Sequence, residues 1–236
     1  MLNRTMNRRQ LLTGFAGAGL YAAISPVCRA LQAHHAPAKS ITPEEALQRL
    51  VAGNARFVAS KAGYPHQDSA RRKELAGGQQ PFATVLGCSD SRTPPELIFD
   101  QGLGDLFVVR VAGNVVDPDV IGSIEYSVEH LHSSLVLVMG HGSCGAVSAA
   151  LLPAADRAKE TADIQVILNQ IQPALGGLDP KASAAQRLTA GIEANVRQSV
   201  KQLAALQSLS RAVAAKQIQI VSGIYDLGSG KVSMLS

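Results

Sequence analysis

Three observations predict an α/β fold, in which a mostly parallel central sheet, four parallel strands plus an antiparallel edge strand, is covered by helices. Four short apolar runs recur along the chain: "FATVLG" (82–87), "LFVVRV" (106–111), "SLVLVMG" (134–140) and "QIQIVSG" (217–223). Each is continuous rather than alternating, the pattern of strands buried on both faces. Segments of helical character, around 119–132, 145–152 and 185–215, separate them, and "YDLGSGKVSML" closes the chain as a hairpin-like edge.

The elements follow in order. In "TPEEALQRLVAGNARFV", Thr42 caps a helix, Pro43 suits its first turn and Glu45 completes a capping box. Leu47, Leu50, Val51, Phe57 and Val58 recur at helical spacing, an apolar stripe interrupted only by Asn54. Residues 59–81, rich in Lys, Arg, Gln and Gly, read as connection, and the Ala-rich stretch 153–190 carries the weakest pattern. There is no internal repeat.

Before this body lies an address. "NRRQLLTGFAGAGLYAAI" sets Arg8 and Arg9 before an apolar, small-residue run, with small residues for cleavage near Ala30 or Ala33. Residues 1–33 are therefore expected to be a cleavable export signal of twin-arginine type, and 34–236 a single domain in the periplasm. The run over 10–24 is short of the about 20 residues a spanning helix takes, so no stable membrane anchor is expected after processing.

Charge and composition exclude a nucleic-acid partner. The chain of 236 residues is 46% hydrophobic and 17% charged, as one compact domain requires. Its net charge of +4 comes from the address: of 22 basic residues, Arg4, Arg8, Arg9 and Arg29 lie there, and the other 18 match the 18 acidic ones. A neutral body with five Phe, four Tyr and no Trp offers neither a polyanion surface nor many rings to stack on bases.

Of three cysteines, Cys28 leaves with the signal, and Cys88 and Cys144 remain. In an oxidising compartment a disulfide is one reading of such a pair. Their placement suggests another. In open parallel sheets, ligands sit beyond the carboxyl ends of the strands. Cys88 ends the first predicted strand, and "GHGSCGA" (140–146) puts His141 and Cys144 at the end of the third. Two thiolates and an imidazole suit a tetrahedral zinc ion with its fourth position left for water, the arrangement of a catalytic site. His35, His66, His130 and His132 are further candidates in principle.

"CSDSR" (88–92), the later "HGSCGA", and "FDQGLGDLFVVRVAGNVV" between them resemble the β-class carbonic anhydrases, a likeness running from about Leu50 ("LVAGNARF") to "IYDLGSGKV" near the end. The resemblance implies reversible hydration of carbon dioxide to bicarbonate and a proton by attack of zinc-bound hydroxide. It also implies one zinc per subunit on Cys88, His141 and Cys144, and homodimers or homotetramers. Asp90 and Arg92 become the catalytic pair: Asp90 accepts a hydrogen bond from the hydroxide, and the planar fork of Arg92 keeps that carboxylate off the metal. By position, Gln79, Phe107 and Tyr126 match residues lining an apolar substrate pocket partly built by a neighbouring subunit. Gly145 is expected to permit close backbone approach at the metal loop. In a closed subgroup the aspartate itself takes the fourth metal position, and a tryptophan stands three residues before the first ligand. Here that residue is Val85, so an open site is expected.

Other chemistries fit less well. "GLGDLF" lacks the third glycine of a dinucleotide loop and precedes a strand instead of following one. "HGSCG" approaches the serine nucleophile elbow, but His141 stands where glycine is needed and no histidine follows it. Fifty-five residues separate Cys88 from Cys144, unlike the two of a dithiol redox motif. A same-fold hydrolase of carbon disulfide or carbonyl sulfide, and a non-catalytic zinc-binding or dithiol module, are the alternatives.

Overall fold

The computed structural model describes residues 41–235. The export-signal expectation for 1–33 and His35 lie outside them. Five strands, β1 (Ala83–Gly87), β2 (Leu106–Arg110), β3 (Leu135–His141), β4 (Gln219–Tyr225) and β5 (Val232–Leu235), form one sheet in the order β2-β1-β3-β4-β5. The first four are parallel and β5 runs antiparallel to β4 at the edge. The helices are α1 (Pro43–Val58), α2 (Ser69–Leu75), α3 (Pro95–Ile98), α4 (Pro118–Glu129), α5 (Gly145–Ala150), α6 (Ala154–Arg157), α7 (Ala162–Leu175), α8 (Ala184–Ala204) and α9 (Gln207–Ala214).

Alternation along β3 divides the core, because successive side chains point to opposite faces. Leu135, Leu137 and Met139 pack with Val85, Ile98, Phe99 and the α1 residues Ala46 and Leu50. Val136 and Val138 face the other way, onto Leu86, Ile124 of α4, Val196 and Leu203 of α8 and Leu209 of α9. β1 and β3 are buried throughout. β2 and β4 depart from the expected full burial: β2 is an edge strand, half-exposed along its length, and β4 starts at exposed Gln219.

Helix α1 begins on the capping box, with the Glu45 amide donating to Thr42 Oγ1 and the Thr42 amide to Glu45 Oε2. Its buried stripe is not the expected one. Val51 and Val58 are exposed, while Ala46, Leu50, Gly53 and Asn54 are buried. Gly53 lies against the chain after α3, where a Cβ would sit 1.8 Å from the Phe99 carbonyl oxygen. Asn54 is buried because its amide is fully used: Nδ2 donates to the Ile98 and Gly230 carbonyls, and Oδ1 accepts from the Val232 amide. The residue that interrupts the apolar pattern thus ties α1 to α3 and to the β4–β5 hairpin.

Two further expectations need correction. The stretch read as connection contains α2, capped by Asp68, and the helix expected over 185–215 is two helices that break at Ala205 and Leu206. The weakly patterned 153–190 holds α6 and α7, and α7 sends Leu168 and Ile171 into a third core cluster with Cys88, Cys144, Val147 and Ile192.

Candidate metal centre

Parallel strands end in register, which delivers the candidate side chains to one rim. Cys88 directly follows β1, and His141 is the last residue of the neighbouring β3. After it the chain turns through Gly142 and Ser143, the latter at φ 54°, so that Cys144 becomes the residue before α5. The Gly142 amide donates to the Tyr225 carbonyl at 2.9 Å, fixing that turn to the end of β4.

The sulfurs of Cys88 and Cys144 and a ring nitrogen of His141 lie within 4.8 Å of one another, and all three residues are buried. Both cysteines are free. His141 Nδ1 lies 2.8 Å from the Gly142 carbonyl, which accepts only, so Nδ1 carries the hydrogen and the lone pair is on Nε2. Nε2 is buried and meets no hydrogen-bond partner. A buried acceptor without a donor is costly, and an imidazole clustered with two sulfurs is what a cation with nitrogen and sulfur preferences fits. The Cys88 thiol is lowered to about 4, chiefly by its hydrogen bond with Cys144, with His141 and the Gly113 amide adding to it. The same bond, together with burial, pushes Cys144 up. A cation arriving between two thiols displaces their protons.

Asp90 stands beside the trio, its Oδ2 3.9 Å from His141 Nε2. Arg92 holds it in a two-pronged contact, Nε to Oδ1 at 2.9 Å and Nη2 to Oδ2 at 2.7 Å, and the Arg92 amide also donates to Oδ1. The guanidinium keeps the carboxyl well below the usual carboxylate range and ties both of its oxygens.

Further polar groups hold this arrangement. The Gly113 amide donates to Cys88 Sγ at 3.3 Å. Gly113 sits at φ 69°, and a Cβ there would meet Ile171 at 2.8 Å, so glycine is required for both conformation and space. Its carbonyl accepts from Asn195 Nδ2, and the Asn114 carbonyl accepts from Ser199 Oγ, both buried on α8. Thr93 and Arg110 bind the backbone between Cys88 and Asp90. The available signals were two polar residues four apart on the inner face of a long helix, and an arginine ending the run "LFVVR". The close approach expected of Gly145 belongs instead to Gly113, since a Cβ on Gly145 would meet nothing within 4 Å.

The expected pocket residues lie elsewhere on the chain. Phe107 is paired with Thr84, four residues before Cys88, or ~13 Å back at a strand rise of about 3.3 Å. Its ring lies 6.4 Å from that of Tyr126, which is half-exposed. Gln79 precedes β1, at the opposite end from Cys88. A single chain does not bring these three to the trio. Of the other histidines, His66 pairs with Asp105 at 2.8 Å, His130 lies against Tyr126, and His132 lines a recess of about 830 Å³ at the amino ends of β1, β3 and β4, away from the trio. Among the described residues, Cys88, His141 and Cys144 are the one such cluster of metal-binding side chains.

Residues 83–232 match the family model described as carbonic anhydrase. The chain is 40% identical over 190 residues to carbonic anhydrase 2 of Mycobacterium tuberculosis, covering 80% of this chain and 91% of the relative. To the carbonic anhydrase of Mycolicibacterium smegmatis it is 39% identical over 195 residues, covering 82% and 94%. Among solved structures it resembles a tetrameric β-carbonic anhydrase of Sordaria macrospora, with TM-score 0.64, 26% identity and coverage of 81% of this chain and 98% of the other. It also resembles the Coccomyxa β-carbonic anhydrase solved with acetazolamide, with TM-score 0.62, 27% identity and coverage of 84% and 87%. A match of this length, over a sheet whose rim carries two cysteines, a histidine and an arginine-held aspartate, places the chain in the β-class carbonic anhydrase family.

Proposed function

We propose that this chain is a zinc-dependent carbonate dehydratase that interconverts carbon dioxide and bicarbonate. The observation that carries the reading is the buried trio: a ring nitrogen of His141 lies within 4.8 Å of the sulfurs of Cys88 and Cys144, and His141 Nε2 has no hydrogen-bond partner. The two thiolates and one imidazole fit zinc with a fourth position open. When bound there, zinc acts as a Lewis acid and lowers the pKa of a water enough to supply a nucleophile near neutral pH.

The chain's own groups orient the reaction. Asp90, charged because Arg92 holds it so, accepts a hydrogen bond from the reacting water and aims its lone pair at the carbon of carbon dioxide. Arg92 occupies both carboxylate oxygens and so keeps Asp90 from competing as a ligand, which supports an open site. Val85, three residues before Cys88, is fully buried in the core. Two thiolates neutralise more of the ion's charge than histidines would, so activity rises through mildly alkaline pH; a flat rate from about pH 6 to 9 would contradict this.

The active form is a homodimer or homotetramer. Supporting it are β2, which among the described residues pairs with a strand on one side only, and the half-exposed Phe107 and Tyr126 beside it, which are far from their own chain's trio and available to a neighbour's. The protein is exported to the periplasm, a reading that rests on Arg8, Arg9 and the small-residue run behind them; amino-terminal sequencing of the mature protein tests it. No helix among the described residues is long and apolar enough to cross a membrane.

Metal analysis with stopped-flow hydration of carbon dioxide tests the function. Cys88→Ala loses both metal and activity, whereas Asp90→Asn keeps the metal and is slowed about 10–100-fold, the usual effect of removing a partner that orients a metal site. Full hydration by metal-free Cys88→Ala protein would refute the mechanism.

A further inference from the structure

We infer that Arg110 is a positioning residue of the metal centre, with Thr93 as its companion: together they clamp the backbone of residues 88–90 and so set the angle between the Cys88 sulfur and the Asp90 carboxylate. Cys88 and Asp90 need this because they sit in a loop. β1 ends at Gly87, and from there to α3 no helix or strand ladder holds the chain. The side chains have opposite duties, one on the metal and one beside it, so a small rotation of the intervening Ser89 peptides would displace both.

The register of the sheet delivers the clamp. Arg110 ends β2 and pairs with Gly87, and the Val111 amide continues the ladder to the Gly87 carbonyl at 3.1 Å. From that place the guanidinium reaches across the loop, Nε donating to the Cys88 carbonyl at 2.9 Å and Nη2 to the Asp90 carbonyl at 2.5 Å. Thr93 meets the same two carbonyls from the other side: Oγ1 lies 3.3 Å from Cys88 O and 2.9 Å from Asp90 O, and its amide donates to Asp90 O at 3.0 Å. Three donors thus converge on the Asp90 carbonyl, and three residues farther along the chain from Arg110 the Gly113 amide contacts Cys88 Sγ itself. A planar fork with fixed donor spacing can bridge carbonyls two residues apart, whereas the single ammonium of lysine reaches one of them at a time.

This inference rests on the trio being a metal centre, and Co2+ binding to the wild type tests that reading separately. Wild-type protein, Arg110→Met, Arg110→Lys and Thr93→Val are freed of metal and titrated with Co2+ against a competing chelator. The visible absorption of the bound ion, thermal melting, kcat and KM are recorded for each. Because Arg110 is exposed at a strand end, the Met variant melts within a few degrees of wild type. Its Co2+ affinity nevertheless falls about 10–100-fold, its cobalt bands shift, and kcat drops with KM unchanged. Lysine restores part of the affinity, and Thr93→Val moves every reading in the same direction by less. Should Arg110→Met not fold, the Lys and Val variants carry the test. Wild-type affinity and bands in the variants would overturn the clamp; a wild type that takes no Co2+ would overturn the metal centre and the clamp with it.

Discussion

Gly140→Ala adds one methyl group directly before His141. The new Cβ would lie 2.5 Å from Val196 Cγ2, 3.0 Å from Ile224 Cδ1 and 3.3 Å from Ile192 Cγ2. Optimal carbon contacts are about 3.5–4.0 Å, so β3 and α8 must part by roughly 1 Å, and β-branched Val196, fully buried and stiff at χ1, yields little. Overpacking of this kind costs about 1–3 kcal/mol, and for a domain of this size each kcal/mol lowers the melting temperature by about 2–4 °C. Gly145→Ala is the matched control on the far side of the ligand turn. A Cβ there meets nothing, so the change is neutral or stabilises by up to about 1 kcal/mol through the unfolded chain. Thermal and urea unfolding of both variants, with metal content measured on the same samples, decide the matter. The Gly140 variant should melt about 2–12 °C lower and hold metal less tightly, because the displaced strand carries His141. If it melts within about 1 °C of wild type with unchanged metal affinity, the packing argument at the centre's rim is wrong.

Two further outcomes follow from groups away from the trio. Asp100 is fully buried and accepts from the Gly63 and Tyr64 amides and from Arg56; burial alone would raise its pKa, but these partners outweigh it and lower it. Its folded value therefore lies below the unfolded ~3.9, so its contribution is complete above about pH 4 and fades as pH falls through the folded value. Asp100→Asn should cost about 1–3 kcal/mol near neutrality, and urea titrations should show the gap to wild type shrinking below about pH 4. A gap that widens in acid would reverse the assigned sign. At the sheet edge, Phe107→Glu puts a carboxylate beside Tyr126 and should convert the assembly to monomers in sedimentation, with loss of hydration activity. An assembly of wild-type size would mean that copies meet elsewhere.

Legibility differed with the kind of information each feature needs. β1 and β3 were readable because strands buried on both faces need no polar positions, and Cys88 and His141 were readable because parallel strands end together. The capping box of α1 is complete within four residues, so its start was local knowledge. Asn54 looked like a flaw in a stripe, since its partners at Ile98, Gly230 and Val232 are distant in the chain. The buried face of α1 rotated accordingly, leaving Val51 and Val58 outside. Helix α7 carried no clear signal although Leu168 and Ile171 seal the sulfurs, because small residues occupy much of its neighbourhood and its role depends on what it covers.

By itself, then, the amino-acid order determined the layered sheet, its antiparallel edge and the gathering of Cys88, His141 and Cys144 at one rim, all properties of hydrophobic period and residue chemistry. Only the tertiary structure decided which His141 nitrogen meets the Gly142 carbonyl, that Gly113 and not Gly145 must lack a side chain, and that Arg110 and Thr93 share the carbonyls on either side of Ser89. The physical reason is that chemistry is carried by a residue's type, whereas the direction in which it acts is set by hydrogen bonds between segments far apart in the chain.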